Sequence, residues 1–258
     1  LNGPWRQPRL RLAGRWALPE SVPLADALDL TLALSADWRQ AKAPTARLER
    51  LAVQGPGVAV RLNGALYPRL AIRSQQLQLA GEAWKQLPLV PELLGTQAPL
   101  NGSLALTGAT QSPALSLQLE QARNPLLERW SLQADWSAAR SALQLRDFQS
   151  PLLQAQATLP LALGRGGLKL GSLAAQLRLD AFPLARVGPI LGTPMDGSLS
   201  AFGEVHGPLT ALQPNLQLRL EDPRAGTLRL LETWQGRFEG VSGGGGRLRM
   251  ASVGSVLP

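Results

Sequence analysis

Leucine recurs at every second position through most of this chain, and that period of two constrains the fold more than any other feature. Leu28, Leu30, Leu32 and Leu34 alternate with Asp29, Thr31 and Ala33. Leu115, Leu117 and Leu119 alternate with Ser116 and Gln118, and Leu216, Leu218 and Leu220 with Gln217 and Arg219. A longer run sets Leu153, Ala155, Ala157, Leu159, Leu161 and Leu163 against Gln154, Gln156 and Thr158. Leu173, Ala175, Leu177 and Leu179 repeat the pattern against Gln176 and Arg178. Successive side chains of a strand point to opposite faces, so each run has one oily and one wet face. The 26 Gly and 21 Pro punctuate the runs at turn-like spacing.

Leucine is not a favoured strand residue, so a helix has to be tested. An amphipathic helix needs apolar residues at i, i+3, i+4 and i+7. These runs would scatter Leu around a helix, and Gly or Pro would soon interrupt it. Strands are therefore predicted throughout. Two stretches read as short helical turns, 87–94 (LPLVPELL) and 184–191 (LARVGPIL), each limited by an internal proline.

Self-comparison reveals a repeat. The triplet ADW occurs at 36–38 and 134–136. Leu-Gly-Thr occurs at 94–96 and 191–193. Asn101-Gly102-Ser103-Leu104 is matched by Asp196-Gly197-Ser198-Leu199, and both read as small turns. A pattern G-x4-P-x-L-x-L fits Gly3, Pro8, Leu10 and Leu12, and again Gly108, Pro113, Leu115 and Leu117. Gly207, Pro214, Leu216 and Leu218 follow a looser form of it. Residues 248–257 resemble 143–152. The offsets imply a unit of about 97 residues, with copies at roughly 1–36 (partial), 37–134, 135–234 and 235–258 (partial). Residues 1–258 thus read as one continuous β-repeat, each unit resting on its neighbours. The start at Leu1, without Met or a signal-peptide pattern, suggests a segment of a longer chain.

Composition narrows the chemistry. There is no cysteine, so there is no disulfide, thiolate site or Cys nucleophile. His206 is the one histidine, which leaves a His-based metal site without partners; no metal and no cofactor are expected. The longest apolar runs fall far short of a membrane-spanning helix. Net charge is +8, and only Lys42, Lys85 and Lys169 are not arginine among the basic residues. Most Arg stand singly between Leu, as Arg9, Arg11, Arg178, Arg219, Arg229, Arg247 and Arg249 do. A nucleic-acid footprint would cluster them with stacking aromatics, so no nucleic-acid partner is expected.

About sixteen one-sided strands must cover their apolar faces. A second sheet would make a sandwich about 10 Å thick. Alternatively one long sheet curls into a trough that holds an apolar guest. Leucine makes up about a fifth of the chain, with two Ile, two Met and one Tyr. That smooth, aromatic-poor surface leans towards the trough, because an interlocked sandwich core recruits more Val, Ile and Phe.

The cadence G-x4-P-x-L-x-L, the segments LPLVPELLG and PLARVGPILG ahead of (N/D)-G-S-L, and the ADW strand resemble the TamB family of translocation-and-assembly-module proteins, which belong with the AsmA-like envelope proteins. The Leu, Arg and Gln bias is similar to that of cyanobacterial members. The resemblance implies an all-β fold: a long, curved, repeat-built sheet forming a hydrophobic trough, a β-taco, with very little helix. It implies a middle segment of an inner-membrane-anchored protein that crosses the periplasm. It also implies an outer-membrane β-barrel insertase as partner of the parent chain.

On that reading the Leu-lined groove carries phospholipid acyl chains between the inner and outer membranes. The groove candidates are Leu28, Leu30, Leu32, Leu34, Leu115, Leu117, Leu119, Leu132, Leu177, Leu179, Leu216, Leu218 and Leu220. The alternative role for the same residues is ordinary core packing. Two further functions stay open: holding client polypeptides for outer-membrane protein assembly, through strand edges that accept a strand, and a purely structural β-repeat. An enzyme is not expected. Asp29, Asp147 and Asp180 lack a spaced partner, and Glu204 with His206 at i+2 reads as a solvated strand surface. The glycine run at 243–246 lacks the Lys-Ser/Thr of a phosphate loop and reads as a turn. The seven Trp read as packing residues placed by the repeat, with headgroup contact at a trough rim as the other reading.

Overall fold

The computed structural model describes residues 6–17, 27–39, 43–80, 98–164, 167–230, 232–241 and 245–253. Seventeen strands account for nearly all of them. The chain divides into two compact units, 1–124 with 131–140, and 125–130 with 141–258.

The first unit is an antiparallel meander. Its strands are β1 (Arg9–Ala17), β2 (Ala27–Asp37), β3 (Thr45–Gly55), β4 (Val58–Tyr67), β5 (Arg69–Leu79), β6 (Leu100–Ala109) and β7 (Ser112–Asn124). Each pairs with its predecessor in sequence. The strand β8 (Glu128–Ser137) belongs to this unit from Ser131 onward.

The second unit repeats the scheme with β9 (Ala142–Gln149), β10 (Leu153–Gly164), β11 (Gly167–Leu170), β12 (Leu173–Pro183), β13 (Met195–Gly207), β14 (Gln213–Ala225), β15 (Leu228–Arg229), β16 (Thr233–Gly240) and β17 (Gly246–Val253). The short β11 and β15 are side branches: β10 pairs onward with β12, and β14 with β16. The all-β class and the near absence of helix agree with the sequence reading. Residues 184–191 form a 3-10 turn (Leu184–Arg186) and one α-helical turn (Gly188–Leu191), with Pro189 in its first turn and Gly192, at φ +66°, ending it. The other expected helical turn, 87–94, lies outside the described residues, as do Trp5, Trp84 and the Leu-Gly-Thr at 94–96.

The repeat is visible as matching hairpins. Gly108, next to last in β6, and Gly207, last in β13, have φ +109° and +116°, and Pro113 and Pro214 stand second in β7 and β14. One expectation fails. Asn101-Gly102-Ser103-Leu104 and Asp196-Gly197-Ser198-Leu199 are not turns; both lie within strands. Gly102 sits opposite Leu119 because only a residue without Cβ admits the Gln118 carbonyl oxygen so close. Gly197, at φ +96°, takes up a register shift against β14 instead of ending the strand. Repeat position also does not dictate environment: Trp38 is 51% exposed, whereas Trp136 is buried.

Little is buried. Within each unit the substantial contacts run between strands adjacent in the meander. Among the described residues the buried apolar cluster is small: Leu28 and Val58, flanked by Val53, Val60 and Leu79.

Candidate binding face

Directly opposed residues in an antiparallel ladder share a face. Following the register across the first unit gives one unbroken row, Leu10–Leu34–Leu48–Gly64–Ile72–Leu106–Leu115, from β1 to β7. Leu32 is flanked by Leu12 and Leu51, Leu30 by Gly14 and Val53. Leu117 faces Leu104, and Leu119 faces Gly102. All seven groove candidates on β2 and β7 therefore lie on the same face. Leu28 is buried; the other six are half-buried.

The second unit builds the same object from different residues. Its row is Phe148–Ala155–Leu177–Gly203–Leu216–Phe238–Leu248. Beside it runs Leu153–Leu179–Ala201–Leu218–Gly236–Met250. Leu220 faces Leu199 and Trp234. The candidates Leu177, Leu179, Leu216, Leu218 and Leu220 thus share one face, all half-buried. Leu132 stands on the same face of β8 as Trp130, Ala134 and Trp136 and is half-buried while they are buried. In the second unit Trp130 stacks on Phe148 with ring centroids 5.5 Å apart.

Each row contains a glycine near its middle. Gly64 and Gly203 have φ +144° and +152°, and a Cβ at either would overlap backbone atoms of the next strand. Glycine within a strand marks a bend or close backbone approach. The Leu faces are therefore interrupted by points where the strand can yield, a feature the Leu periodicity alone does not reveal.

At the strand ends the apolar face of the first unit finishes in two ways. Where β7 ends, Gln121, 2% exposed, sits opposite Leu100. Its Nε2 donates to the Ala98 carbonyl (3.1 Å), and its Oε1 accepts from Asn124 Nδ2 (2.9 Å). That end carries a satisfied, buried polar lock. Where β2 and β4 end, Trp38 and Tyr67 stand about half exposed instead. In the second unit the turn after β12 buries Phe182 and Leu184 but leaves Ile190 and Leu191 outward.

The opposite faces are polar, and their charges differ between units. In the second unit three arginines are capped by an acid two residues along the strand: Arg178–Asp180 (3.0 Å), Arg219–Glu221 (2.8 Å) and Arg237–Glu239 (3.1 Å). Arg178, Asp180, Arg219 and Arg237 line an open depression that also holds Phe202. Glu204 and His206 meet at 2.9 Å in a second depression, and the imidazole holds the Glu204 carboxyl below its ordinary range. Both are exposed, as a solvated strand pair would be. In the first unit Arg9, Arg11, Arg15, Arg47, Arg50, Arg61, Arg69 and Arg73 share the polar face of β1, β3, β4 and β5. None makes an ion pair among the described residues, and Arg61 Nε is shielded without an acceptor. Strand pairing thus gathers arginines that stand singly in sequence. The signal missed in the sequence is R-x-(D/E) at Arg178, Arg219 and Arg237, because i and i+2 share a strand face; the same spacing at Arg47 and Glu49 forms no ion pair, since the ladder shifts register there.

Among the described residues no group of three or more His, Asp or Glu could hold a metal ion, and no helix is long and apolar enough to cross a membrane. No family model, characterised protein or solved structure matches the chain.

Proposed function

We propose that the chain is a length of apolar conduit whose leucine faces hold phospholipid acyl chains, within an envelope protein of the kind the TamB resemblance implies. The observation that carries this reading is the pair of apolar rows, each continuous across seven strands of its unit, whose leucine candidates apart from Leu28 are half-buried and not sealed. Contiguous apolar faces that stay partly open to solvent mark binding surfaces. A smooth Leu wall suits a sliding guest: each buried methylene contributes about 0.8 kcal/mol wherever along the wall it rests. Many similar weak sites permit movement where one deep pocket would arrest it.

The test is photo-crosslinking in cells from Leu117 and Leu218, with mass spectrometry of the adducts. Phospholipid adducts at both positions are expected. Adducts with polypeptide alone would replace this reading with client-protein holding, and adducts with neither would end it.

A further inference from the structure

One edge of the first unit combines cations and aromatics that the leucine face does not explain. It is the edge where β2 and β4 finish and β1, β3 and β5 begin. Arg9, Arg47 and Arg69 lie at the first positions of their strands or close to them, exposed and without an ion pair among the described residues. Trp38 follows the last residue of β2 and is 51% exposed; its backbone N–H donates to the Arg6 carbonyl (2.9 Å), which fixes the chain there. Tyr67 closes β4 and is 47% exposed. Of the acids near this edge, Asp37 is already held by Arg39 at 2.6 Å, and Glu49 accepts a hydrogen bond from Ser35 Oγ.

We propose that this edge docks on the headgroup layer of an anionic phospholipid bilayer. Trp and Tyr each present an apolar ring with a polar atom, the chemistry that settles at a membrane–water interface. Guanidinium groups match phosphate oxygens in bidentate geometry. The register supports the division of labour. Tyr67 pairs with Ala46 and so extends the apolar face, while Arg9 and Arg47 both face Ser35 on the polar side. A nucleic-acid platform would interleave aromatics among the cations; here the arginines of β1, β3 and β5 are separated by Ala, Ser, Thr and Gln. The opposite edge, with its buried Gln121–Asn124 lock, offers no such set. The proposal concerns headgroups and needs no acyl chain on the leucine face, so it stands apart from the conduit reading.

The experiment sediments the 258-residue chain with phosphatidylcholine vesicles, with and without phosphatidylglycerol. Binding to the anionic vesicles alone is expected, weakening as salt rises. Each basic residue at an anionic surface is worth about fivefold in affinity. Arg9→Gln, Arg47→Gln and Arg69→Gln together should therefore weaken binding roughly 100-fold at low salt, with the far-UV circular dichroism unchanged. Independently of that variant's folding, brominated lipid in the anionic vesicles should quench tryptophan emission in the natural sequence and quench it less in Trp38→Phe. Equal binding to both vesicle types, undiminished binding by the folded triple variant, or unaltered quenching in Trp38→Phe would each overturn the proposal. Displacement from the vesicles by duplex DNA through the same three arginines would assign the edge to nucleic acid instead.

Discussion

Gly64 shows how much one missing methyl group decides. Its φ of +144° is a conformation L side chains rarely adopt, and a Cβ would overlap the Ala71 carbonyl oxygen. Backbone strain of this kind costs about 1–3 kcal/mol, and steric overlap adds to it. Gly64→Ala should lower the urea midpoint by an amount equivalent to at least about 2 kcal/mol. Gly14, also on the apolar face but with open space around it, makes the control. Gly14→Ala should cost under about 0.5 kcal/mol, the range of substitutions that meet nothing. Glu204 offers a second test. Hydrogen bonding and charge from His206 hold its carboxyl below the ordinary 4.5. A carboxyl whose folded value is depressed contributes stability above its unfolded value and loses it as pH falls through the folded one. The contribution of this pair is therefore present at neutral pH and vanishes in acid, below about 4.5. In His206→Ala the Glu204 titration, followed by NMR, should move up towards that value; an unmoved titration would show that the imidazole is not the cause.

At the scale of the strand, register is the quantity that matters. A slip by one residue turns every side chain to the other face. Inserting one alanine between Leu117 and Gln118 should put either Leu115 and Leu117 or Leu119 on the wet side. The expected result is loss of protection for the amides of β6 and β7 in hydrogen exchange. Insertion of two residues in the loop between β6 and β7 should leave them protected. Period-two alternation made β2, β7, β10, β12 and β14 legible in advance, because one face of each is wet and one is apolar. It also placed the leucines of β2, β7, β12 and β14 on shared faces. What it could not supply was the pairing itself. Asn101–Leu104 carries turn-forming residue types and is nevertheless strand, because the ladder to β7 outweighs local preference and Gly102 admits the close approach. The clustering of Arg9, Arg47 and Arg69 was hidden for the same reason: these residues stand far apart in sequence and become neighbours only through β1–β2–β3 and β4–β5 pairing. Trp38 and Trp136 share the triplet ADW yet differ in exposure, since burial depends on which neighbours lie beside a strand end.

Across the molecule, stability is assembled from contacts between neighbouring strands. In such arrays the free energy is close to a sum of nearest-neighbour terms, so cooperativity is local. Gly64→Ala should speed amide exchange in β3, β4 and β5 and leave β12, β13 and β14 at their original rates. Uniform acceleration throughout would show a coupling that strand adjacency does not provide. The order of pairing has another consequence. Every main strand finds its partner in the main strand made just before it, so few ladders need chain that has not yet been produced. Contacts local in sequence also form fastest. A polypeptide of this design can fold from its first strand onward, at the pace of its synthesis or of its passage through a narrow pore, with one edge at a time awaiting the next arrival.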